Sequence, residues 1–201
     1  MKDTLEQIFK DCQGRYTGEA RLVPGEGDPH AALLIVGEAP GAQEEAQGRP
    51  FVGAAGKNLS HFLALAGMRR EALYITNAVK FRPTRRGTSG RLSNRTPTRR
   101  EVAWFVPYLA REIACVRPLV VATLGNTALS AVLSACGCAQ EHARLSVGEA
   151  HGRPFRPAGG LPWLFPLYHP ASLIYRRALT DVYEQDVRAL AAFLKTAESD
   201  N

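Results

Sequence analysis

The chain has 201 residues, of which 45% are hydrophobic, and carries a formal net charge of +6 at pH 7. This size and composition favour one compact domain over residues 1–201, with a core large enough to fold as a monomer. The chain has no apolar run of about eighteen residues and its N-terminal segment is charged, which excludes a membrane-spanning helix and a signal peptide. We therefore expect a cytoplasmic protein that does not associate with membranes.

Four short apolar runs alternate with segments of helical periodicity along the chain. Most of the runs are unbroken, as is typical of strands buried on both faces. The predicted strands cover residues 32–36, 73–76, 119–124 and 164–167, and the predicted helices cover residues 57–66, 98–115, 127–135 and 182–197. A capping box, Thr98 with Glu101, opens the second helix. The pattern predicts an α/β three-layer sandwich, with a central, mostly parallel four-stranded sheet flanked by helices.

Polar residues and glycines follow each predicted strand directly. Gly37 and Glu38 follow the first strand, Asn77 the second, Gly125 the third, and His169 comes shortly after the fourth. Ligands of open parallel sheets bind at the carboxyl ends of the strands, so these residues are the candidates for a functional site.

A basic segment, residues 81–96, is predicted to be a long surface loop. Loops of this length in compact domains are usually functional or mobile, and clustered arginines attract phosphates. A solvated loop whose charge keeps the protein soluble is the alternative interpretation. The arginines within it are Arg82, Arg85, Arg86, Arg91 and Arg95.

The first glycine-rich segment, residues 37–56, leads into a helix and is suited to close approach of the backbone to a ligand. A phosphate-binding loop of nucleotide hydrolases is excluded, because Phe51 stands where that motif needs glycine and Asn58 where it needs serine or threonine.

Three separated motifs together resemble the family 4 uracil-DNA glycosylases. They are GEAPGAQEEAQGRPFVGAAGKNL from Gly37, NAVKFRP from Asn77 with NRTPT from Asn94, and HPASL from His169. They occur in the family's order, and the resemblance extends roughly from Cys12 to Leu194. It implies an enzyme that removes uracil from DNA, with single- or double-stranded DNA as its partner.

The resemblance implies roles for residues that would hold a uracil flipped out of the base stack. Phe51 corresponds to the stacking platform, and Asn77 to the amide that pairs with N3–H and O4 of uracil. Cytosine would leave polar groups unpaired against that amide. Glu44 matches a residue at the C5 edge that excludes the thymine methyl group. Gly37 and Ala39 complete the predicted substrate-binding set.

Further residues correspond to the family's catalytic groups. His169 resembles the donor to uracil O2, where negative charge develops as the base leaves. Glu38 resembles the carboxylate near the sugar, which positions water and opposes positive charge at C1′. Asn94 holds the place at which a related group has a histidine that attacks the sugar and stays bound, so we expect turnover here. Ser172 and Arg176 join the five arginines of the basic segment as predicted DNA contacts.

The cysteine pattern departs from the family, which holds a four-iron cluster with four cysteines. Cys12 stands at one ligand position, but Arg15, Phe81 and Phe105 stand at the other three. One thiolate cannot hold such a cluster, so we expect neither metal nor cofactor. The phenylalanines are expected to fill the space with apolar packing.

The sequence thus predicts a monofunctional glycosylase that hydrolyses the N-glycosidic bond of uracil and leaves an abasic site, with no Schiff-base step. Two alternatives stay open. One is removal of another deaminated base, hypoxanthine or xanthine, in a roomier pocket. The other is a binding module for damaged or abasic DNA without efficient turnover.

Overall fold

The computed structural model describes residues 3–88, 90–158 and 161–200, which include seven strands. They are β1 (Glu26–Gly27), β2 (Leu33–Gly37), β3 (Tyr74–Asn77), β4 (Thr84–Arg86), β5 (Leu92–Asn94), β6 (Val120–Leu124) and β7 (Trp163–Leu167). Five of them form one sheet in the order β1-β3-β2-β6-β7, and β4 pairs with β5 in a separate hairpin. In the sheet, β1 is antiparallel to β3 and all other pairs are parallel.

Within the described ranges, eight α-helices surround or connect these strands. They are α1 (Leu5–Arg15), α2 (Ala42–Gln47), α3 (Ala54–Leu65), α4 (Arg99–Val116), α5 (Asn126–Ala135), α6 (Val147–Ala150), α7 (Ser172–Tyr175) and α8 (Thr180–Ser199). The predicted capping box opens α4: the Thr98 hydroxyl accepts from the Glu101 amide, and the Glu101 carboxylate accepts from the Thr98 amide.

The sheet separates two apolar layers because alternate side chains of each strand point to opposite faces. From β2, Leu33 and Ile35 pack with α3 and α8 on one face. Leu34 and Val36 pack with α4 and α5 on the other. A third cluster joins α1 to the outer side of α4. The three-layer α/β architecture is therefore confirmed.

Two details of the predicted fold are wrong. The main sheet has five strands, because β1 adds an antiparallel edge too short, at two residues, to show a periodicity. The basic segment 81–96 is not simply a loop, because β4 and β5 form a hairpin within it. Both hairpin strands are short and largely exposed, and Leu92 is their one apolar residue, so no apolar alternation indicated them. None of the helices in the described part of the chain is long and apolar enough to cross a membrane.

Candidate active site at the carboxyl edge of the sheet

A cavity of about 490 Å³ opens where β2, β3 and β7 end. Segments distant in sequence meet there because the carboxyl ends of parallel strands share one edge of the sheet. Of the predicted catalytic and substrate-binding residues, all but Gly37 line the cavity, namely Glu38, Ala39, Glu44, Phe51, Asn77, Asn94 and His169. Gly37 does not line the cavity but lies next to two residues that do, Phe51 and Asn77.

Gly37 allows two of these side chains to come together over the end of β2. A Cβ atom at this position would lie 2.4 Å from the Phe51 ring and 2.5 Å from Oδ1 of Asn77. Any larger residue would push the aromatic ring and the amide apart. Gly37 therefore shapes the cavity through its missing side chain.

Phe51 is held in a backbone conformation that few residues of its type adopt. Its φ angle is 53°, in the left-handed region, although its side chain is largely buried. Gly56 lets the chain pack tightly here, since a Cβ atom there would overlap the carbonyl of Phe51. Arg70 donates to the carbonyl of Pro50 at 2.8 Å. These contacts hold the ring at the cavity wall, with its centroid 6.3 Å from that of the His169 ring.

Asn77 is the last residue of β3, and its backbone is fixed on both sides. The amide of the following residue, Ala78, donates to the carbonyl of Gly37 at 2.8 Å. The carbonyl of Asn77 accepts from Nζ of Lys80 at 2.9 Å. No residue that the structure describes hydrogen-bonds to its side-chain amide. The amide lies in the cavity wall and is available to a ligand.

The carboxylate of Glu44 is engaged by the backbone of its own loop. Oε1 accepts from the amides of Gly53 at 2.7 Å and Val52 at 3.0 Å, and Oε2 accepts from Gly41 at 3.1 Å. These bonds tie the start of α2 to the start of α3. Glu44 thus lines the cavity and at the same time holds together the loop that carries Phe51.

His169 lies at the cavity wall with one ring nitrogen already paired. Its Nδ1 accepts from the amide of Ala171 at 3.2 Å, so the neutral ring carries its proton on Nε2. Burial lowers the pKa of His169 to about 4, and the charge of Glu44 opposes this shift only in part. The side chain is therefore a neutral donor through Nε2 at physiological pH.

Glu38 is oriented by a residue that the sequence did not indicate. Oε2 accepts from the Thr127 hydroxyl at 2.6 Å, and Thr127 lies in the first turn of α5. The two residues are far apart in sequence, and nothing in the motif pattern links them. The other carboxylate oxygen, Oε1, forms no hydrogen bond with the described residues.

Asn94 is the last residue of β5, and its side chain is held by Arg82. This contact indicates a role for Arg82 other than the predicted contact with DNA. Nε of Arg82 donates to Oδ1 of Asn94 at 2.7 Å, and the same guanidinium pairs with Glu45 at 3.2 Å. Because Oδ1 is engaged, the NH₂ group of Asn94 is the one left for a ligand. Arg82 is thus placed to orient Asn94, and its predicted phosphate contact is not favoured by this geometry.

The remaining arginines of the hairpin fall into two groups. Arg95 pairs with Glu101 through contacts of 2.6 and 2.8 Å, which favours an intramolecular role for it as well. Arg85, Arg86 and Arg91 are exposed and form no ion pair with any residue in the described ranges. These three form the hairpin's available cationic surface.

Ser172 and Arg176, the other predicted DNA contacts, lie at the two ends of α7 beyond His169: Ser172 is its first residue and Arg176 directly follows its last. The amide of Ser172 donates to the carbonyl of His169 at 2.8 Å, and Arg176 is exposed. Both lie on the same edge of the sheet as the cavity. Their contact with DNA stays a prediction.

The residues at the family's cluster positions do not fit an iron–sulfur cluster. Cys12 and Phe105 are buried and belong to the apolar cluster between α1 and α4, against which Phe81 packs. The rings of Phe81 and Phe105 lie 5.9 Å apart. Burial raises the pKa of Cys12 to about 11, and this single thiol is the only cysteine at the four positions, whereas such a cluster needs several thiolate ligands. Within the described ranges no group of His, Cys, Asp or Glu side chains is arranged to hold a metal.

Lysines are present in the motifs but not in the described wall of the cavity. Lys57 is exposed on α3, and Lys80 is buried in an ion pair with Glu112. A larger cavity, of about 660 Å³, lies at the amino edge of the sheet and is lined mainly by apolar residues, with no paired amide and imidazole. The chemistry-bearing side chains thus gather at the carboxyl edge.

Known proteins resemble this chain over most of its length. Residues 24–193 match the model of the family described as the uracil DNA glycosylase superfamily. A type-4 uracil-DNA glycosylase of Pyrobaculum aerophilum is 37% identical over 91% of this chain and 89% of its own. One from Archaeoglobus fulgidus is 38% identical over 94% of this chain and 91% of its own.

A solved structure also has this fold. The crystal structure of Pedobacter heparinus SMUG2 superimposes with a TM-score of 0.60, covering 98% of this chain and 99% of that one, at 11% sequence identity. At this low identity the likeness concerns the fold alone.

Proposed function

The chain belongs to the uracil DNA glycosylase superfamily, and we propose that it releases uracil from DNA by hydrolysing the N-glycosidic bond, as a step of base excision repair. The observation that carries this proposal is the meeting of Asn77, Phe51 and His169 around one cavity. A flipped pyrimidine can stack on an aromatic face and form hydrogen bonds with an amide and with a neutral imidazole donor.

Recognition of the base rests on Asn77 and Phe51. Uracil presents a donor at N3 and an acceptor at O4, and a single side-chain amide can pair with both. The available amide of Asn77 and the largely buried ring of Phe51 support this assignment. Cytosine would present its amino group and an unprotonated N3 to the same amide, and unpaired groups in such a site disfavour the wrong base.

The rate is proposed to come from His169. As the bond to the sugar breaks, negative charge grows on the uracil ring and is shared by O2. A neutral Nε2–H donor stabilises that charge more in the transition state than in the bound substrate. The lowered pKa of His169 and the bond from Ala171 to Nδ1 both support this protonation state.

Glu38 and Asn94 are proposed to act on the sugar side. The bond from Thr127 leaves Oε1 of Glu38 for a water molecule, which would attack C1′ as positive charge develops there. Asn94, oriented by Arg82, offers its NH₂ group to the same region. An asparagine is a poor nucleophile, which favours release of the product over a covalent complex.

Contact with DNA is proposed to involve Arg85, Arg86 and Arg91 on the hairpin, with Ser172 and Arg176 on the other side of the cavity. Phosphates are common to single- and double-stranded DNA, and the cavity reads only the flipped base. We therefore propose that a monomer acts on both forms. Other deaminated bases are proposed to be disfavoured by the loop whose backbone amides donate to Glu44.

The test is incubation of the purified protein with oligonucleotides that carry uracil, hypoxanthine or xanthine, followed by alkali cleavage at abasic sites. We expect cleavage at uracil in both strand forms, and little at the two purines. Preferred release of a purine would favour the alternative glycosylase, and binding without release would favour the binding module. Borohydride should trap no protein–DNA adduct, because no lysine is found in the described cavity wall.

A further inference from the structure

Behind the cavity lies a buried ion pair that the proposed reaction does not use directly. Nζ of Lys80 contacts Oε2 of Glu112 at 2.6 Å, and both side chains are almost fully enclosed, with exposed fractions of 2% and 5%. Lys80 follows β3, and Glu112 lies on the buried face of α4. The pair therefore joins the strand that ends in Asn77 to the helix on its flank.

The ammonium group of Lys80 is fully engaged by its neighbours. Besides Glu112, it donates to Oγ1 of Thr76 at 2.6 Å and to the carbonyl of Asn77 at 2.9 Å. An ammonium group has three N–H donors, and three acceptors surround this one. Lys80 is thus neither a nucleophile for the sugar nor a contact for DNA phosphates, and its attachment to Asn77 is the feature to explain.

Stability alone is a weak reason for such a pair. Taking two charges out of water costs several kcal/mol per ion, and replacing both by apolar residues of similar volume is often neutral or stabilising. A buried pair of this kind is better suited to fixing one arrangement of the chain, because its hydrogen bonds are directional. Here the arrangement that it fixes is the peptide group of Asn77.

Asn77 requires such fixing because its side chain has no anchor of its own. No described residue hydrogen-bonds to its amide, and Oδ1 lies above Gly37, which has no side chain to hold it. The direction of the amide therefore depends on the backbone. Reading a base by two hydrogen bonds needs placement to about 0.5 Å, so a small rotation of this peptide would misalign both.

We propose that Lys80 and Glu112 are positioning residues that hold Asn77 in its uracil-reading orientation, an inference that rests on the proposed function. The link extends to the N-terminal helix, since Phe105 and Tyr108 lie on α4 ahead of Glu112 and pack against Cys12 and Ile8 of α1. The apolar cluster between α1 and α4 thus supports the helix that carries Glu112.

The test compares Lys80→Met, Glu112→Leu and the double variant with the wild type. Three quantities are measured: the melting temperature, the single-turnover rate of uracil release, and the inhibition constant of free uracil. Each single change leaves one buried charge unpaired and should lower the melting temperature. The double change should restore the melting temperature to within a few degrees of the wild-type value. Uracil release should nevertheless stay at least about tenfold slower than in the wild type, and inhibition by uracil should weaken by a similar factor. The matched control is Arg188→Met with Glu184→Leu, which removes an exposed pair on α8.

A double variant with wild-type melting, excision and uracil inhibition would overturn the proposal, since the pair would then serve the fold alone. Should the double variant not fold, Thr76→Val removes one acceptor of Nζ without removing a charge. It should slow excision and weaken uracil inhibition several-fold, and wild-type values for both would equally contradict the proposal. If the wild-type protein releases no uracil, the proposed function fails instead.

Discussion

At the scale of single residues, the cavity combines an available amide with a neutral imidazole, and each has its own structural support. Asn77 is fixed through its backbone, and His169 through the amide of Ala171. Specificity and rate should therefore depend on different residues, and changing one should leave the other's contribution in place.

Asn77→Asp should reverse part of the specificity. A protonated carboxyl group can donate to N3 and accept from the amino group of cytosine, whereas a carboxylate repels O4 of uracil. We expect uracil release to fall by at least about a hundredfold and cytosine release to appear, rising as the pH is lowered. Single-turnover assays on matched uracil and cytosine oligonucleotides measure both. Asn77→Ala is the control and should release neither base efficiently. If Asn77→Ala also releases cytosine, the side-chain amide of Asn77 does not read the base.

The positions of Asn77, Glu38 and His169 could be predicted, because each follows a strand and belongs to a recognisable motif. Their partners could not. Thr127 and Glu112 lie in helices with ordinary helical patterns, and only the folded chain brings them to Glu38 and Lys80. The pairing of Arg82 and Arg95 with Glu45 and Glu101 was likewise hidden, since a sequence shows charge but not its partners.

At the scale of elements, the β4–β5 hairpin is the part of the molecule that departs most from the predicted fold. Its strands are three residues each, mostly polar and largely exposed, so they show neither alternation nor a buried run. The long strands and helices were predictable because they bury apolar faces against the sheet. Secondary structure that is held by backbone pairing and by polar side-chain contacts, such as the bond from Arg85 to Ser93, leaves little trace in composition.

Replacing Arg85, Arg86 and Arg91 together by alanine should weaken binding to all DNA sequences alike. Phosphate contacts carry no sequence information, and each contributes about 0.9 to the slope of log K against log salt on duplex DNA. Loss of three contacts should reduce the magnitude of that slope by about 2.7, as binding titrations over a range of salt would measure. Arg69, Arg188 and Lys195, which are exposed elsewhere, serve as the matched control set. An unchanged slope in the hairpin variant would place this element away from DNA.

The packing of α1 on α4 should be independent of metal. Phe105 is fully buried at a position where the family has a cysteine, and its ring packs against Phe81 and Tyr16. We expect the purified protein to contain no stoichiometric iron and to lack the visible absorbance of an iron–sulfur cluster, and a chelator should leave its melting temperature unchanged. Iron in stoichiometric amount, or a melting temperature lowered by chelation, would show that the apolar cluster is not what holds these helices together.

At the scale of the whole molecule, the candidate active site affects stability through His169. Its pKa is about 4 in the folded protein and about 6.5 in an unfolded chain. Between these values the unfolded state binds the extra proton, so folding is favoured more as pH rises through this window. The contribution of His169 to the free energy of unfolding is complete above about pH 6.5 and is lost as pH falls towards 4. It amounts to at most about 3 kcal/mol.

His169→Gln should remove this dependence. The free energy of unfolding, measured by urea titration between about pH 4 and 7, should rise less steeply with pH in the variant than in the wild type. The difference between the two curves isolates His169 from other groups that titrate in this range. Parallel curves would mean that the imidazole is as accessible to protons in the folded chain as in the unfolded one, and that His169 is not held as a neutral donor by its partly buried position.

The most direct test of the central claim measures uracil release and DNA binding separately in His169→Ala. The group acts chiefly on charge that develops in the transition state, so the single-turnover rate at saturating enzyme should fall by about a hundredfold or more, while the affinity for uracil-containing DNA stays close to that of the wild type. Release of uracil by His169→Ala at near the wild-type rate would contradict the account, because the cavity at the carboxyl edge of the sheet would then not be where the bond is broken.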